Sequence, residues 1–102
     1  QASRAYINFN QTNHSIRLDH NVASITDNGT GQTSVNFSTN MSNNSYTVVT
    51  GGAREQPENS RCYPSNIDGM TTSKFDISNH NDGSTSVDWA LMCAAVFGAG
   101  GA

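Results

Sequence analysis

The sequence contains little charge. Only 13% of its 102 residues are Asp, Glu, Lys or Arg, against about 25% in a typical globular domain. Five of them are Lys or Arg and the net charge is −3, so the chain lacks the basic surface that nucleic-acid binding needs. Long apolar runs are missing too, and no segment approaches the roughly 18 consecutive apolar residues of a membrane span. These absences argue against nucleic-acid partners and against membrane insertion.

Cysteine is also scarce, with Cys62 and Cys93 alone in the chain. A disulfide between them would stabilise the fold by roughly 3 kcal/mol, but Cys93 lies in an apolar run, where a free thiol is the commoner state. Neither cysteine has a nearby ligand partner, and the spacing of His14 and His20 matches no common zinc pattern. We therefore expect no metal and no cofactor.

Small polar residues take the place of the missing charge and bulk. Asn, Ser and Thr fill 36 of the 102 positions, and they favour turns and strand surfaces because their side chains compete for nearby backbone groups. The length suits one domain with one core, so residues 1–102 are predicted to be a single domain with residues 98–102 as a flexible tail. The first residue is Gln and no signal peptide is visible, which indicates a processed product or an excised domain.

Residues 22–38 give the clearest structural signal. Two runs of alternating apolar and polar residues flank a connection of five residues, 27–31, that is rich in Gly and Asn. This pattern predicts a β-hairpin, with Val35 and Phe37 on one face. Gly29 and Gly31 allow the positive φ angles that reverse the chain.

Five further segments read as strands, namely residues 5–10, 15–20, 46–50, 72–78 and 87–97. In the second of them, alternation places Ile16 and Leu18 together on a half-buried face. With the hairpin these segments make about seven strands, with turn signals every 8–12 residues. The predicted fold is all-β, a single antiparallel β-sandwich or an open barrel.

The segment 87–97 loses its alternation after Trp89. Continuous apolar character indicates that both faces of the strand are covered, and we expect another subunit to cover one of them. Trp89 itself is expected in the core rather than on a ligand. The predicted subunit interface consists of Trp89, Leu91, Cys93, Ala94, Val96 and Phe97.

Residues 51–61 have no periodicity and hold most of the local charge, which predicts an exposed loop. Loops carry recognition on rigid scaffolds, and the candidate receptor-binding residues are Arg54, Glu55, Glu58 and Arg61. A plain solvated loop is the competing interpretation. No nucleophile-elbow sequence and no recognisable pair of carboxylates occurs, so no catalytic residue is predicted.

Three stretches resemble a known family. Residues 5–10, AYINFN, are similar to an A-W/Y-V/I-N-F-N/D opening, and residues 21–38 resemble an NVSSITDNGTGxYxVNFxT core. Residues 93–97, CAAVF, resemble a V-A-V-F terminal strand. Together they resemble a small C-terminal β domain of tail-fibre-like virion proteins from tailed phages of marine bacteria and cyanobacteria. Residues 11–14 and 51–70 depart from this pattern.

The resemblance implies a non-enzymatic virion structural domain that forms a homotrimer at the surface of an extracellular particle. Its expected partners are other virion proteins, with host-surface polysaccharide as a candidate ligand, and its expected role is host adsorption by a distal tail-fibre or spike domain. A capsid decoration or cement protein, bound to the capsid lattice, is the alternative. A sugar-active enzyme domain is a third, weaker hypothesis.

Overall fold

The computed structural model describes residues 4–53, 60–64, 69–81 and 86–98, and within these ranges it contains eight β-strands and no α-helix. The strands are β1 (Ala5–Asn10), β2 (Ser15–His20), β3 (Val22–Gly29), β4 (Gln32–Phe37), β5 (Thr47–Ala53), β6 (Ser60–Pro64), β7 (Lys74–Asn81) and β8 (Leu91–Phe97). The all-β prediction is confirmed. Each of the seven predicted strand segments contains a strand, and β6 is the additional one.

The strands form two antiparallel sheets. The first sheet has the order β2-β1-β8-β5 and the second has the order β3-β4-β7-β6. The chain passes from the first sheet to the second after β2 and again after β5. Each of these crossings joins an edge strand of the first sheet to an edge strand of the second, β2 to β3 and β5 to β6. This is a sandwich-like arrangement of two separate sheets.

The predicted hairpin is present as β3 and β4, with a tighter connection than predicted. The strands run to Gly29 and resume at Gln32, which leaves two residues between them. Register shifts lie between Val22 and Ser24 and between Asp27 and Gly29, and the second of them takes up residues that the sequence pattern assigned to the loop. At Gly31, φ is 72° and an added Cβ would lie 2.7 Å from a backbone oxygen, so only glycine fits this turn without strain.

One hydrophobic core lies between the inner faces of the two sheets. Ile7 and Phe9 of the first sheet are buried, as are Val35, Phe75 and Ile77 of the second. Each such side chain contributes about 1.5–3 kcal/mol when it leaves water. Trp89 belongs to the same cluster and is 3% exposed, which confirms that it is a core residue.

The last strand begins later than predicted, at Leu91 instead of residue 87. It lies in the middle of the first sheet, between β1 and β5. Buried and half-buried residues alternate along it. Its inward residues enter the core, and its outward residues are half-buried on the outer surface of the first sheet, between the side chains of the two neighbouring strands.

The predicted loop at residues 51–61 is wrong at both ends. Residues 51–53 continue β5 and pair with residues 93–91 of β8, and residues 60 and 61 already belong to β6, which pairs with β7. Both extensions depend on backbone hydrogen bonds to a neighbouring strand, which need no apolar alternation. The remaining residues, 54–59, lie outside the described part of the chain.

An aromatic cluster closes one end of the core around Tyr46, whose ring packs edge-on against Phe37 at 5.6 Å between centroids. Its hydroxyl is placed to donate to the backbone oxygens of Thr71 and Lys74, each 2.8 Å away. Burial, and to a lesser extent the charge of Asp76, raises the pKa of Tyr46 from 10.0 to about 12.

This raised pKa predicts a loss of stability in alkali. The folded state keeps the Tyr46 proton between pH 10 and about 12, while the unfolded chain releases it. The stabilisation is therefore fully present below pH 10 and is lost as the pH rises through about 12, at about 1.4 kcal/mol per pH unit. Urea denaturation across this range measures the slope. In Tyr46→Phe the part of the pH dependence that comes from Tyr46 should vanish. An unchanged slope would show that Tyr46 is not its source.

Candidate interaction surface

The outer surface of the first sheet carries an apolar layer that spans all four of its strands. Directly paired residues of an antiparallel sheet share a face, and Tyr6 pairs with both His20 and Ala95, while Ala95 pairs with Val49. These pairs define the side of the sheet that points away from the core. We call this side the open face, and its residues include Tyr6, Asn8, Leu18, His20, Val49, Leu91, Cys93, Ala95 and Phe97.

The open face exposes large apolar side chains to solvent. Leu18 is 59% exposed, Val49 is 55% exposed and Tyr6 is 37% exposed. Half-buried residues of β8, among them Cys93 and Ala95, lie between these side chains. Exposed apolar side chains grouped on one face make this face the candidate interaction surface.

The polar groups on the open face are largely engaged within the chain. Arg17 donates to Asn8 Oδ1 at 3.2 Å and to the backbone oxygen of Ala90 at 2.7 Å. The rings of Tyr6 and His20 stack at 5.4 Å between centroids. No carboxylate belongs to the described residues that the register places on this face. A partner would thus meet a mainly apolar surface on which the charged Arg17 is already bonded within the chain.

The outer surface of the second sheet has the opposite character. Ser34 accepts a hydrogen bond from Asn28 Nδ2 at 2.7 Å and donates to Asp76 Oδ1 at 2.6 Å. Lys74 Nζ lies 3.0 Å from the same carboxylate oxygen. Asn36 bridges across to β3 with its amide nitrogen. Ser34 itself is buried beneath these contacts, at 5% exposure, and the side chains around it are hydrogen-bonded and at least partly exposed. The outer surface of the second sheet is therefore polar, whereas the open face is mainly apolar.

The carboxylates within the described ranges serve mainly as structural acceptors. Asp27 Oδ1 accepts the Gly29 N–H at 3.0 Å, and Asp27 Oδ2 lies 3.6 Å from His14 Nε2. Asp88 accepts the Gly31 N–H at 2.7 Å, which ties the hairpin turn to the segment before β8. Among the described residues, no group of three or more His, Cys, Asp or Glu side chains could hold a metal ion. In the same part of the chain no helix is long and apolar enough to cross a membrane.

The structure divides the six predicted interface residues between two environments. Trp89, Ala94 and Val96 are buried in the core of the single chain. Leu91, Cys93 and Phe97 point to the open face and are half-buried. Cys93 is a free thiol. The subunit interface stays a prediction, and only the second group presents side chains to it.

Most of the predicted receptor-binding loop lies outside the described part of the chain. Arg54, Glu55 and Glu58 lie outside the described residues, and for Arg61 the description covers its backbone in β6. That backbone pairs with the second sheet. The receptor-binding role of these four residues stays a prediction.

Sequence reasoning missed the contribution of β2 to the open face. Leu18 was expected to be half-buried beside Ile16, but a bulge opposite Asn8 and Phe9 changes the register, and every residue of β2 is exposed. β2 is an edge strand, and its alternation resembles that of a half-buried strand. Strand alternation alone predicts that Tyr6 and Val49 point away from the core. The presence of large apolar residues at these outward positions was the signal in the sequence for an apolar outer surface.

Comparisons of the chain with protein-family models, curated proteins and solved structures find no match. Fold and surface together define an antiparallel, sandwich-like β protein with one apolar and one polar outer surface.

Proposed function

We propose that this chain is a non-enzymatic structural domain of a phage virion, of the distal tail-fibre or spike type, and that it assembles into a homotrimer through the open face. The observation that carries the proposal is the contrast between the two outer surfaces. A network of hydrogen-bonded polar side chains covers the outer side of the second sheet, whereas the first sheet exposes Leu18, Val49 and Tyr6. The virion assignment itself rests on the family resemblance.

Further copies of the same chain are the occupants that suit the open face best. A sugar needs free donors and acceptors, but Arg17 on this face is already bonded to Asn8 and Ala90. A flat aliphatic surface gains chiefly from burial against another apolar surface. Trimerisation is the state that the family resemblance implies, and it would place three copies of Val49 and Ala95 in a shared interface.

The mass of the protein in solution tests this proposal. Light scattering on the wild-type chain should give a mass near three times 10.9 kDa. Ala95→Glu places a charge in the middle of the open face, and we expect it to yield monomers that unfold cooperatively, because burial of an unpaired charge is costly. Ala23→Glu is the matched control, since Ala23 is an exposed alanine on β3 of the second sheet, and it should stay trimeric.

The position of the charge matters for this test. Ala94 lies next to Ala95 but points into the core and is only 4% exposed. Arginine at Ala94 would therefore unfold the chain and would reveal nothing about assembly. A monomeric wild type would contradict the trimer and would favour the alternative in which the open face binds another virion protein, as in a capsid decoration protein.

Cys93 provides an independent readout of the same face. Its free thiol is half-buried at the centre of the face. In the sheet, Cys93 lies opposite Asn8 of β1 and Gly51 of β5. We expect slow alkylation of Cys93 in the wild-type protein and at least about tenfold faster alkylation in Ala95→Glu, because dissociation uncovers the thiol. Mass spectrometry of the peptide that contains Cys93 measures the rate. Equal rates in the two proteins would show that no partner covers this face.

A further inference from the structure

We propose that a cleft at one end of the molecule, between the start of β1 and the segment that follows β4, binds a carboxylated sugar. The inference rests on the proposed function, because adsorption to a host-surface glycan is the role that such a site would serve. The cleft has a volume of about 350 Å³ and is lined by Arg4, His20, Asn21, Thr39, Asn40 and Met41. We call it the Arg4 cleft.

The walls of the Arg4 cleft are held in place before any ligand binds. Asn21 adopts a left-handed conformation with φ of 55°, which asparagine tolerates better than most residues. Its amide nitrogen donates to the backbone oxygens of Arg4 at 3.3 Å and Thr39 at 3.1 Å, and its side-chain oxygen accepts the Thr39 N–H at 2.7 Å. Asn21 thus joins both sides of the cleft, and a preformed site avoids the cost of ordering its parts on binding.

Arg4 supplies the positive charge of the site. Its Nε is buried and has no hydrogen-bond partner. Among the residues that the structure describes, none forms an ion pair or a hydrogen bond with its guanidinium, in contrast to Arg17, which is bonded twice. Arg4 is the one Lys or Arg among the residues that line the cleft, and a planar guanidinium matches the two oxygens of a carboxylate. None of the six lining residues is acidic, so the cleft favours an anion.

The other lining residues suit the hydroxyl groups of a sugar. No hydrogen bond is present to the side chain of Asn40 or Thr39 within the described residues, and both side chains are exposed. His20 is fixed by its stack on Tyr6. Met41 is 5% exposed and forms an apolar floor, anchored by its N–H to the backbone oxygen of Thr72 at 2.8 Å. One cationic group beside neutral hydrogen-bonding groups and a single apolar residue matches a ligand that carries both a negative charge and hydroxyl groups.

Isothermal titration of the full chain with glucuronate, glucose and inorganic sulfate tests the site. We expect glucuronate to bind, and glucose and sulfate each to bind at least about tenfold more weakly, because one lacks the charge and the other lacks the hydroxyls. Arg4→Met keeps the apolar stem and removes the guanidinium, and it should weaken glucuronate binding at least about tenfold. Lys74→Met is the matched control, since Lys74 is a cation on the second sheet, away from both the cleft and the open face, and it should leave affinity unchanged.

Asn40→Ala is a second test of the cleft in case Arg4→Met does not fold. Asn40 is exposed, and its truncation leaves the hydrogen bonds of Asn21 in place. It should weaken glucuronate binding and leave thermal unfolding unchanged. Sulfate binding as tightly as glucuronate would overturn the sugar assignment, and glucose binding equally tightly would overturn the role of Arg4. Absence of glucuronate binding by a chain that remains trimeric would overturn this inference alone, because light scattering tests the proposed assembly separately.

Discussion

Replacing Gly52 by alanine is expected to destabilise the fold by about 3 kcal/mol. A Cβ at this position would lie 2.5 Å from the backbone oxygen of Leu91 and 2.5 Å from a ring carbon of Trp89. The oxygen belongs to the strand that pairs with β5, and Trp89 is fixed in the core, so neither atom can move away cheaply. Urea denaturation at one protein concentration measures the loss.

The neighbouring glycine provides the control. Gly51 points to the open face, where an added Cβ meets nothing within 4 Å. With both glycine substitutions made in the monomeric Ala95→Glu background, where no partner covers this face, Gly51→Ala should change the free energy of unfolding by no more than about 0.5 kcal/mol. The two substitutions have identical chemistry and occupy adjacent positions of one strand, so a difference between them reports which side of the sheet is filled. Equal effects would contradict the face assignment of β5.

Replacing Gln11 by leucine should cost about 3–4 kcal/mol. Gln11 is 1% exposed and lies directly after β1. Its Nε2 donates to Thr33 Oγ1 at 2.9 Å, while its Oε1 accepts the Trp89 N–H at 3.0 Å and a hydrogen bond from Asn79 Nδ2. Leucine has a similar volume but no polar atoms, so it would leave buried donors without acceptors.

The Gln11 network joins the two sheets, because Thr33 and Asn79 belong to the second sheet and Gln11 follows a strand of the first. Gln32→Leu is the matched control. Gln32 is half-buried on the outer surface of the second sheet and accepts one hydrogen bond, from Ser78 Oγ at 2.8 Å, so its loss should cost about 1 kcal/mol. Similar losses in the two variants would show that the buried network adds nothing beyond a surface hydrogen bond.

Local patterns predicted most of the fold but not its edges. The hairpin at residues 22–38 was predictable because Val22, Val35 and Phe37 alternate with polar residues and glycines lie at the turn. β6 was missed because five residues with little alternation become a strand only when β7 offers backbone partners. The bulge in β2 was missed because inserting one residue into an edge strand leaves no mark on composition.

The candidate surfaces were harder to predict than the fold. The apolar run in β8 correctly marked a strand with little exposure to solvent, but it could not show that Ala94 faces the core while Ala95 faces outward. Val49 and Leu18 are far apart in sequence and come together on the open face only through β1 and β8. Arg4 and Asn40 likewise form one cleft only because Asn21 joins their segments.

By itself the sequence determined the class of fold, the position of most strands and the apolar character of the last strand. These follow from side-chain alternation, turn residues and hydrophobicity, which act over a few residues. Tertiary structure decided which side of each strand meets the core, which strands lie at the edges and which distant side chains share a surface. Those features depend on pairing register and sheet order, where a shift of one residue reverses every side chain.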